Sequence, residues 1–401
     1  MKIDIKIKSL IMFSMIIMLF GNFLFYINVL DRTASTTITY FFILFPAIVG
    51  IIPICDVLIN KNYKFKYIHE LNTGIFIFVV FLIISLIKSH QVGVFTVGTI
   101  GELVRIFIPF FYTFIAINFL SKSDICFFVK LALLVAWISF LLELNFSNIS
   151  FNDIKAISFV NSYSPFENSA VPLLSYALSI YFIYYWKKMP VWTFFSVLLV
   201  FLTFKRVYML TEIFLLIIVL LKKQNIKINN FIMYVSSFFW IGAVKIYMFM
   251  LQPQNYNWDL EKLHFDVASF SMFRAYRVWF LIQHNFTSYG LGSTTKELQI
   301  GWLRGATLEL DFIKILMELG LIGIIIFIFS YYRLTRNNFY SYVVMSFTFL
   351  QLLMANGLTG YLEWAIILTT IALINYDKIN DNIDSEIYWP FIHLKEYGKD
   401  K

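Results

Sequence analysis

Apolar residues follow one another along this chain in long runs, and one stretch breaks the pattern. The runs fall at 10–30, 37–58, 71–87, 102–120, 125–144, 170–186, 191–204, 207–221, 231–251, 312–331, 339–355 and 361–376. They are continuous rather than alternating, which predicts helices and not strands. The runs at 191–204 and 207–221 are short and read as a hairpin broken at Lys205-Arg206. Between residues 252 and 311 polar, aromatic and cationic residues take over, before Glu309 and Asp311 lead into the run LMELGLIGIIIF. A crossing of the hydrocarbon core needs about 20 apolar residues, and its backbone must satisfy itself there. The pattern therefore predicts an all-α polytopic membrane protein with about 12 transmembrane helices. One large extracytoplasmic loop, at 252–311, is expected to contain amphipathic helices. The chain 1–401 reads as a single transmembrane domain, with a second outer loop at 145–169 and a polar tail at 377–401.

Composition agrees with this reading. The chain is 60% hydrophobic and 14% charged, a balance that excludes a soluble domain of 401 residues. Lys2, Lys6 and Lys8 precede the first run as in a signal peptide, but the run reaches Leu30 without a small-residue cleavage site, so a retained span is expected. Cys55 falls inside a run and Cys126 opens another, and no disulfide is expected between them. No HExxH, CxxC or GxxxxGK[ST] occurs, so zinc and P-loop chemistry have no support, and no cofactor is expected.

The net charge of +8 is read as loop charge rather than as a nucleic-acid surface. With the N-terminus in the cytoplasm, the inner segments carry the early lysines, Lys61, Lys64, Lys66, Lys122, Lys187, Lys188, Lys222, Lys223, Lys227, Arg333, Arg336 and the lysines of the tail. The short outer loops hold only Arg32, Lys88, Lys155, Lys205 and Arg206. The bias persists when Lys262, Arg274, Arg277, Lys296 and Arg304 of the long loop are counted outside. Both termini are therefore expected in the cytoplasm and the long loop outside.

Several residues carry candidate chemistry. Arg206, in FLTFKRVYML, is either a phosphate anchor or a cation snorkelling from a helix end. Arg274 and Arg277, in FSMFRAYRVWFLIQHN, share a face at i,i+3 on an amphipathic helix lined by Phe270, Phe273, Trp279 and Phe280. They clamp a diphosphate with Arg206, or meet lipid headgroups. Gly290 and Gly292, in NFTSYGLGS, permit a tight turn or a close backbone approach. His284 and His264 are acid–base groups or polar surface. Glu309 and Asp311 stand where the loop re-enters the membrane, as a general base or as a helix cap. Glu102 and Arg105 are spaced to pair, and Asp56, Lys130, Lys245, Glu318 and Glu363 lie in or beside apolar runs.

Taken in order, these pieces resemble the O-antigen polymerase and ligase superfamily, the membrane glycosyltransferases of bacterial surface polysaccharides. The resemblance covers the C-terminal half best. It rests on the hairpin FLTFKRVYML, on the loop segment RAYRVWFLIQHNFTSYGLG, and on the return LELDFIKILMELGLIG. Ligase members typically carry a His-Asn pair where this chain has Glu309-Leu310, and a Glu-x-Asp there is similar to what many polymerases carry. The resemblance implies a polymerase in the bacterial inner membrane that transfers a growing chain from undecaprenyl diphosphate to the non-reducing end of a new lipid-linked unit. It implies Arg206, Arg274 and Arg277 on the diphosphates and Glu309 or Asp311 as the base; Gly290, Gly292, His284 and Arg304 are further candidates. Lipid-linked oligosaccharides and membrane lipids are the implied partners, with room for a chain-length-regulating membrane protein and no role for nucleic acid or metal. A lipid-linked oligosaccharide flippase, a ligase on the same scaffold and a non-enzymatic membrane scaffold are the alternatives.

Overall fold

A computed structural model describes residues 5–27, 29, 37–60, 65–143, 171–299 and 307–377. The outer loop at 145–169, the tail beyond 377 and Arg304 lie outside them. A helix is found over each of the apolar runs. Among the described residues seven helices are long and apolar enough to cross a membrane: α1 (Ile5–Tyr26), α2 (Thr37–Asn60), α3 (Ile68–Val92), α4 (Val97–Phe119), α5 (Lys122–Glu143), α9 (Asn230–Met250) and α14 (Asp311–Leu334). Five are shorter: α6 (Pro172–Tyr184), α7 (Pro190–Leu202), α8 (Arg206–Leu220), α15 (Phe339–Met354) and α16 (Tyr361–Asp377). At 1.5 Å per residue, α6 and α7 extend only about 20 Å each, less than the hydrocarbon thickness.

The loop at 252–311 is also helical in large part. It contains α10 (Tyr256–Leu263), the single turn α11 (Val267–Phe270), α12 (Ala275–Gln283) and α13 (Ser293–Leu298). In α12 the buried positions Ala275, Val278 and Leu281 recur every third residue, while Tyr276 and Gln283 are exposed. This is the amphipathic helix that the Arg274/Arg277 spacing predicts.

Hydrogen bonds sort the helix ends into two faces. On one, the end of α1 meets the start of α16, with Asn22 donating to the Tyr361 hydroxyl at 2.9 Å and the Tyr26 hydroxyl donating to Glu363 at 2.7 Å. The start of α14 meets the link between α15 and α16 here, and the turn leading into α13 meets α3 at Ser85. On the other face, Asn375 donates to the Leu334 carbonyl at 3.1 Å, the Tyr67 amide donates to the Tyr376 hydroxyl at 2.8 Å, and Lys8 pairs with Asp124 at 2.6 Å. Lys66, Lys122, Lys222, Lys223, Arg333 and Arg336 belong to this second face, which is the more basic one.

The core lies where α4, α6, α14 and α16 meet. Most of α6 and α16 is buried, including Tyr176, Phe182, Leu362 and Ile367. Polar side chains inside the bundle find partners, as low-dielectric surroundings demand. Trp240 donates to the Tyr332 hydroxyl at 2.6 Å, and the Tyr340 hydroxyl donates to the Ile180 carbonyl at 2.6 Å. Glu212 of α8 is among the exceptions, with Arg105 Nε and Trp137 Nε1. Glu212 is fully buried, and neither carboxyl oxygen has a hydrogen-bond partner. Ser179 lies beside it, yet that hydroxyl donates to the Tyr176 carbonyl at 2.8 Å.

Replacing an unpartnered buried carboxyl by an apolar side chain of similar size is expected to stabilise the bundle by about 1–3 kcal/mol. Glu212→Met should therefore raise the midpoint of thermal unfolding in detergent. A lowered midpoint would show that Glu212 has a stabilising partner.

Candidate functional site

The loop is fastened to the bundle before its arginines are placed. Gly290 (φ 110°) and Gly292 (φ 86°) lie in the left-handed region, which glycine adopts without strain. A Cβ on Gly290 would stand 2.8 Å from the Ser85 Cα, so the turn presses against the backbone of α3. Leu291 donates its amide to the Ser85 hydroxyl at 3.1 Å. The turn then feeds α13, whose first amides meet a carboxylate from α14. Gly292 N–H donates to Glu318 Oε2 at 2.9 Å, and Thr294 donates to Oε1 through its amide at 2.9 Å and its hydroxyl at 2.6 Å. Glu318 is fully buried. One helical turn earlier, Lys314 Nζ reaches both oxygens of Glu102 on α4 at 2.6 Å. The sequence spacing that suggested a Glu102–Arg105 pair is thus overridden by a cross-helix contact, and Arg105 Nε is buried without a hydrogen-bond partner.

Helix α14 itself is broken. Gly320 has φ 77° and ψ −172°, which divides the helix into two segments. The break leaves the last carbonyls of the first segment without intrahelical donors. The Ser288 hydroxyl takes up one of them, donating to the Glu318 carbonyl at 2.6 Å.

Above this anchor, α12 brings Arg274 and Arg277 onto one carboxylate. Arg274 Nε lies 3.0 Å from Glu309 Oε2, and Arg277 Nη1 lies 3.1 Å from Oε1. Backbone carbonyls fix the two guanidiniums further. Arg274 Nη1 donates to Met354 at 3.3 Å and to Ser271 at 3.4 Å, and Arg277 Nη1 donates to Thr307 at 2.6 Å. The Nη2 group of each arginine forms no hydrogen bond with a described residue and is not buried. The three side chains are 17%, 25% and 30% exposed for Arg274, Arg277 and Glu309, so the cluster is reachable from outside. Burial works against the Glu309 charge, but the guanidiniums of Arg277 and Arg274 more than offset it and hold its carboxyl below the ordinary value.

Asp311 has another task. It is buried, and its Oδ2 accepts the amides of Gly357 and Leu358, each at 2.6 Å, which ties the start of α14 to the link between α15 and α16. Arg206 opens α8 and is half-buried. Two residues on, Tyr208 stacks on Tyr176 with ring centroids 4.6 Å apart and lies within electrostatic range of Asp311 and Glu363. The start of α8 therefore approaches the same face as Glu309. His284 is exposed and its Nδ1 lies 2.8 Å from the Phe280 carbonyl, while His264 is an exposed left-handed cap on α10. Both histidines fit polar surface. Arg304 lies outside the described residues.

The arrangement can do two things chemically. Two fixed guanidiniums with unengaged N–H groups offer a fork for phosphate oxygens. A carboxylate kept ionised between them can accept a proton from a hydroxyl brought alongside. Among the described residues no cluster could hold a metal ion. The chain matches no family model, no curated protein and no solved structure.

Two outcomes are expected. Gly290→Ala forces a Cβ against the α3 backbone in a strained conformation, at a cost of about 1–3 kcal/mol, and should lower the unfolding midpoint in detergent. The Glu309 clamp should show a pH signature. Its folded-state value is depressed, so its contribution is fully present above the ordinary glutamate value of 4.5 and fades only as pH falls through the lowered value. The difference in midpoint between the wild type and Glu309→Gln should stay constant from pH 8 down to about 4.5, shrink below that, and be gone once pH is under the lowered value.

Proposed function

We propose that this protein is a polysaccharide polymerase that joins oligosaccharide units carried on lipid diphosphates. The observation that supports this most is the pair of guanidiniums, Arg274 and Arg277, held on one carboxylate with both Nη2 groups unengaged at the loop face. A diphosphate leaving group needs fixed positive charge in a water-poor site, and guanidinium N–H pairs supply it without reorganisation. In the proposed reaction the acceptor hydroxyl attacks the anomeric carbon of the donor chain. Its proton passes to a carboxylate, with Glu309 the assigned base, as the new C–O bond forms. The bond to the diphosphate breaks, and the lipid diphosphate leaves with the electron pair onto the arginines. Arg206 is assigned to a second diphosphate, that of the acceptor lipid.

In this reading all twelve apolar helices cross the membrane, both termini are cytoplasmic, and the loop face looks out of the bacterial inner membrane. The basic character of the opposite face supports that orientation.

A transporter of the same lipid-linked units is the second reading. It is favoured by the broken helix α14 and by the charges Glu102, Lys314 and Glu318 inside the bundle, features that transporters use at substrate sites.

One experiment separates the two. Arg274→Ala and Arg277→Lys should each reduce long surface polymer by at least about 100-fold, the scale on which one charge-stabilising donor acts. Single repeat units should still reach the surface, and protein level should be unchanged. The lysine variant is included because lysine keeps the charge and loses the fork. Loss of all surface glycan, single units included, would support transport instead. Normal chain length in both variants would remove the anchor assignment.

A further inference from the structure

A second polar site lies on the face away from Glu309. The first turns of α3 and the last turns of α14 leave a groove of about 280 Å³ between them. At its outer end stand His69, Asn72 and Arg333. None of these three side chains forms a hydrogen bond or ion pair with a described residue. The groove lining contains no carboxylate. The nearest acid in sequence, Glu70, is turned to the Tyr376 hydroxyl at 3.4 Å. Phe76 and Phe329 line the inner end.

The order of these residues along the helix axes is what identifies the ligand. Phe76 lies seven residues beyond His69 on α3, about 10 Å deeper. Phe329 lies four residues before Arg333 on α14, about 6 Å deeper. The groove is thus cationic and hydrogen-bonding at the membrane face and aromatic toward the hydrocarbon. A soluble anion would use only the outer end. An amphiphile with an anionic head would use both, and Arg333 together with Asn72 suits phosphate oxygens. Basic pockets between transmembrane helices are a recognised setting for such headgroups.

We propose that this groove binds the phosphate headgroup of an anionic membrane phospholipid, with an acyl chain laid along Phe76 and Phe329. The site is distinct from the Arg274–Glu309–Arg277 cluster and does not depend on the reaction assigned there. Its occupant clips the start of α3 to the end of α14, the same two helices that carry the loop anchor at their far ends.

Native mass spectrometry of the full chain in mild detergent tests this, with phosphatidylglycerol, phosphatidylcholine and inorganic phosphate as separate additions. The wild type should retain one phosphatidylglycerol per chain more strongly than phosphatidylcholine. Arg333→Gln should weaken that retention about fivefold, the scale of one headgroup cation. Thr73→Trp, which fills the groove and leaves the cations in place, should abolish it. Thermal midpoints of both variants without lipid report whether the fold is kept. Equal retention by the wild type and both folded variants would overturn the proposal. Release of the lipid by millimolar inorganic phosphate would overturn it too, because it would assign the groove to a soluble anion.

Discussion

Glu318 and Lys314 sit one helical turn apart on α14, and the geometry of the outer loop follows from the need to neutralise both. A charge in hydrocarbon is expensive unless it is met by a partner. Lys314 is met by Glu102, which fixes α14 against α4. Glu318 is met by the first amides of α13, which belong to the loop and not to the bundle. The loop therefore cannot lift away without stranding a buried carboxylate. With α13 fastened, the turn at Gly290 is pressed onto α3, and α12 is held beside the entrance of α14. The meeting of Arg274 and Arg277 on Glu309 is the outermost result of a constraint set within the bundle.

The sequence made the helices legible because lipid imposes a simple rule: apolar runs of sufficient length become helices. It also marked α12 through the i,i+3 spacing of Arg274 and Arg277, but it assigned the apolar face to Phe270, Phe273, Trp279 and Phe280, whereas Phe270 and Phe273 are exposed outside the helix and the buried stripe is Ala275, Val278 and Leu281. Periodicity reports which face a residue occupies and says nothing of what waits opposite. Glu102 was therefore matched with Arg105 on its own helix, whereas its partner is Lys314, more than two hundred residues away. Glu309 and Asp311 looked alike as neighbouring carboxylates. Their roles part because Glu309 ends a loop that faces α12, while Asp311 opens a helix beside the free amides of Gly357 and Leu358. The glycines looked like an ordinary loop turn, and only the approach to Ser85 gives Gly290 its reason. The role of Glu318 as an anchor had one trace in the sequence, its i,i+4 spacing from Lys314 inside an apolar run.

The break at Gly320 gives the two functional readings a common structural basis. It separates a short, charge-bearing segment of α14 from a longer apolar one. The short segment carries the loop anchor and borders the arginine cluster. The long one runs to the basic face and ends at Arg333. Under the proposed polymerase reading this segment is a fixed floor beneath the arginine cluster, and under the transporter reading it is a moving part. The dense partnering of Lys314, Glu318 and Asp311 favours the floor, because each of these contacts would have to break for the segment to tilt.

Glu309 also has a consequence for which molecules the arginine fork admits. In the resting state Glu309 already occupies Arg274 Nε and Arg277 Nη1, so a visitor that reaches for those edges as well as the open Nη2 groups competes with a tethered carboxylate present at high effective concentration. Ambient chloride, or a stray sulfate making one or two contacts, gains too little to do so. A ligand with several adjacent negative oxygens and a lipid tail to add binding energy can win that exchange. In the proposed reaction the occupied fork serves as a threshold that filters visitors by charge density and favours a multiply charged one over common ions.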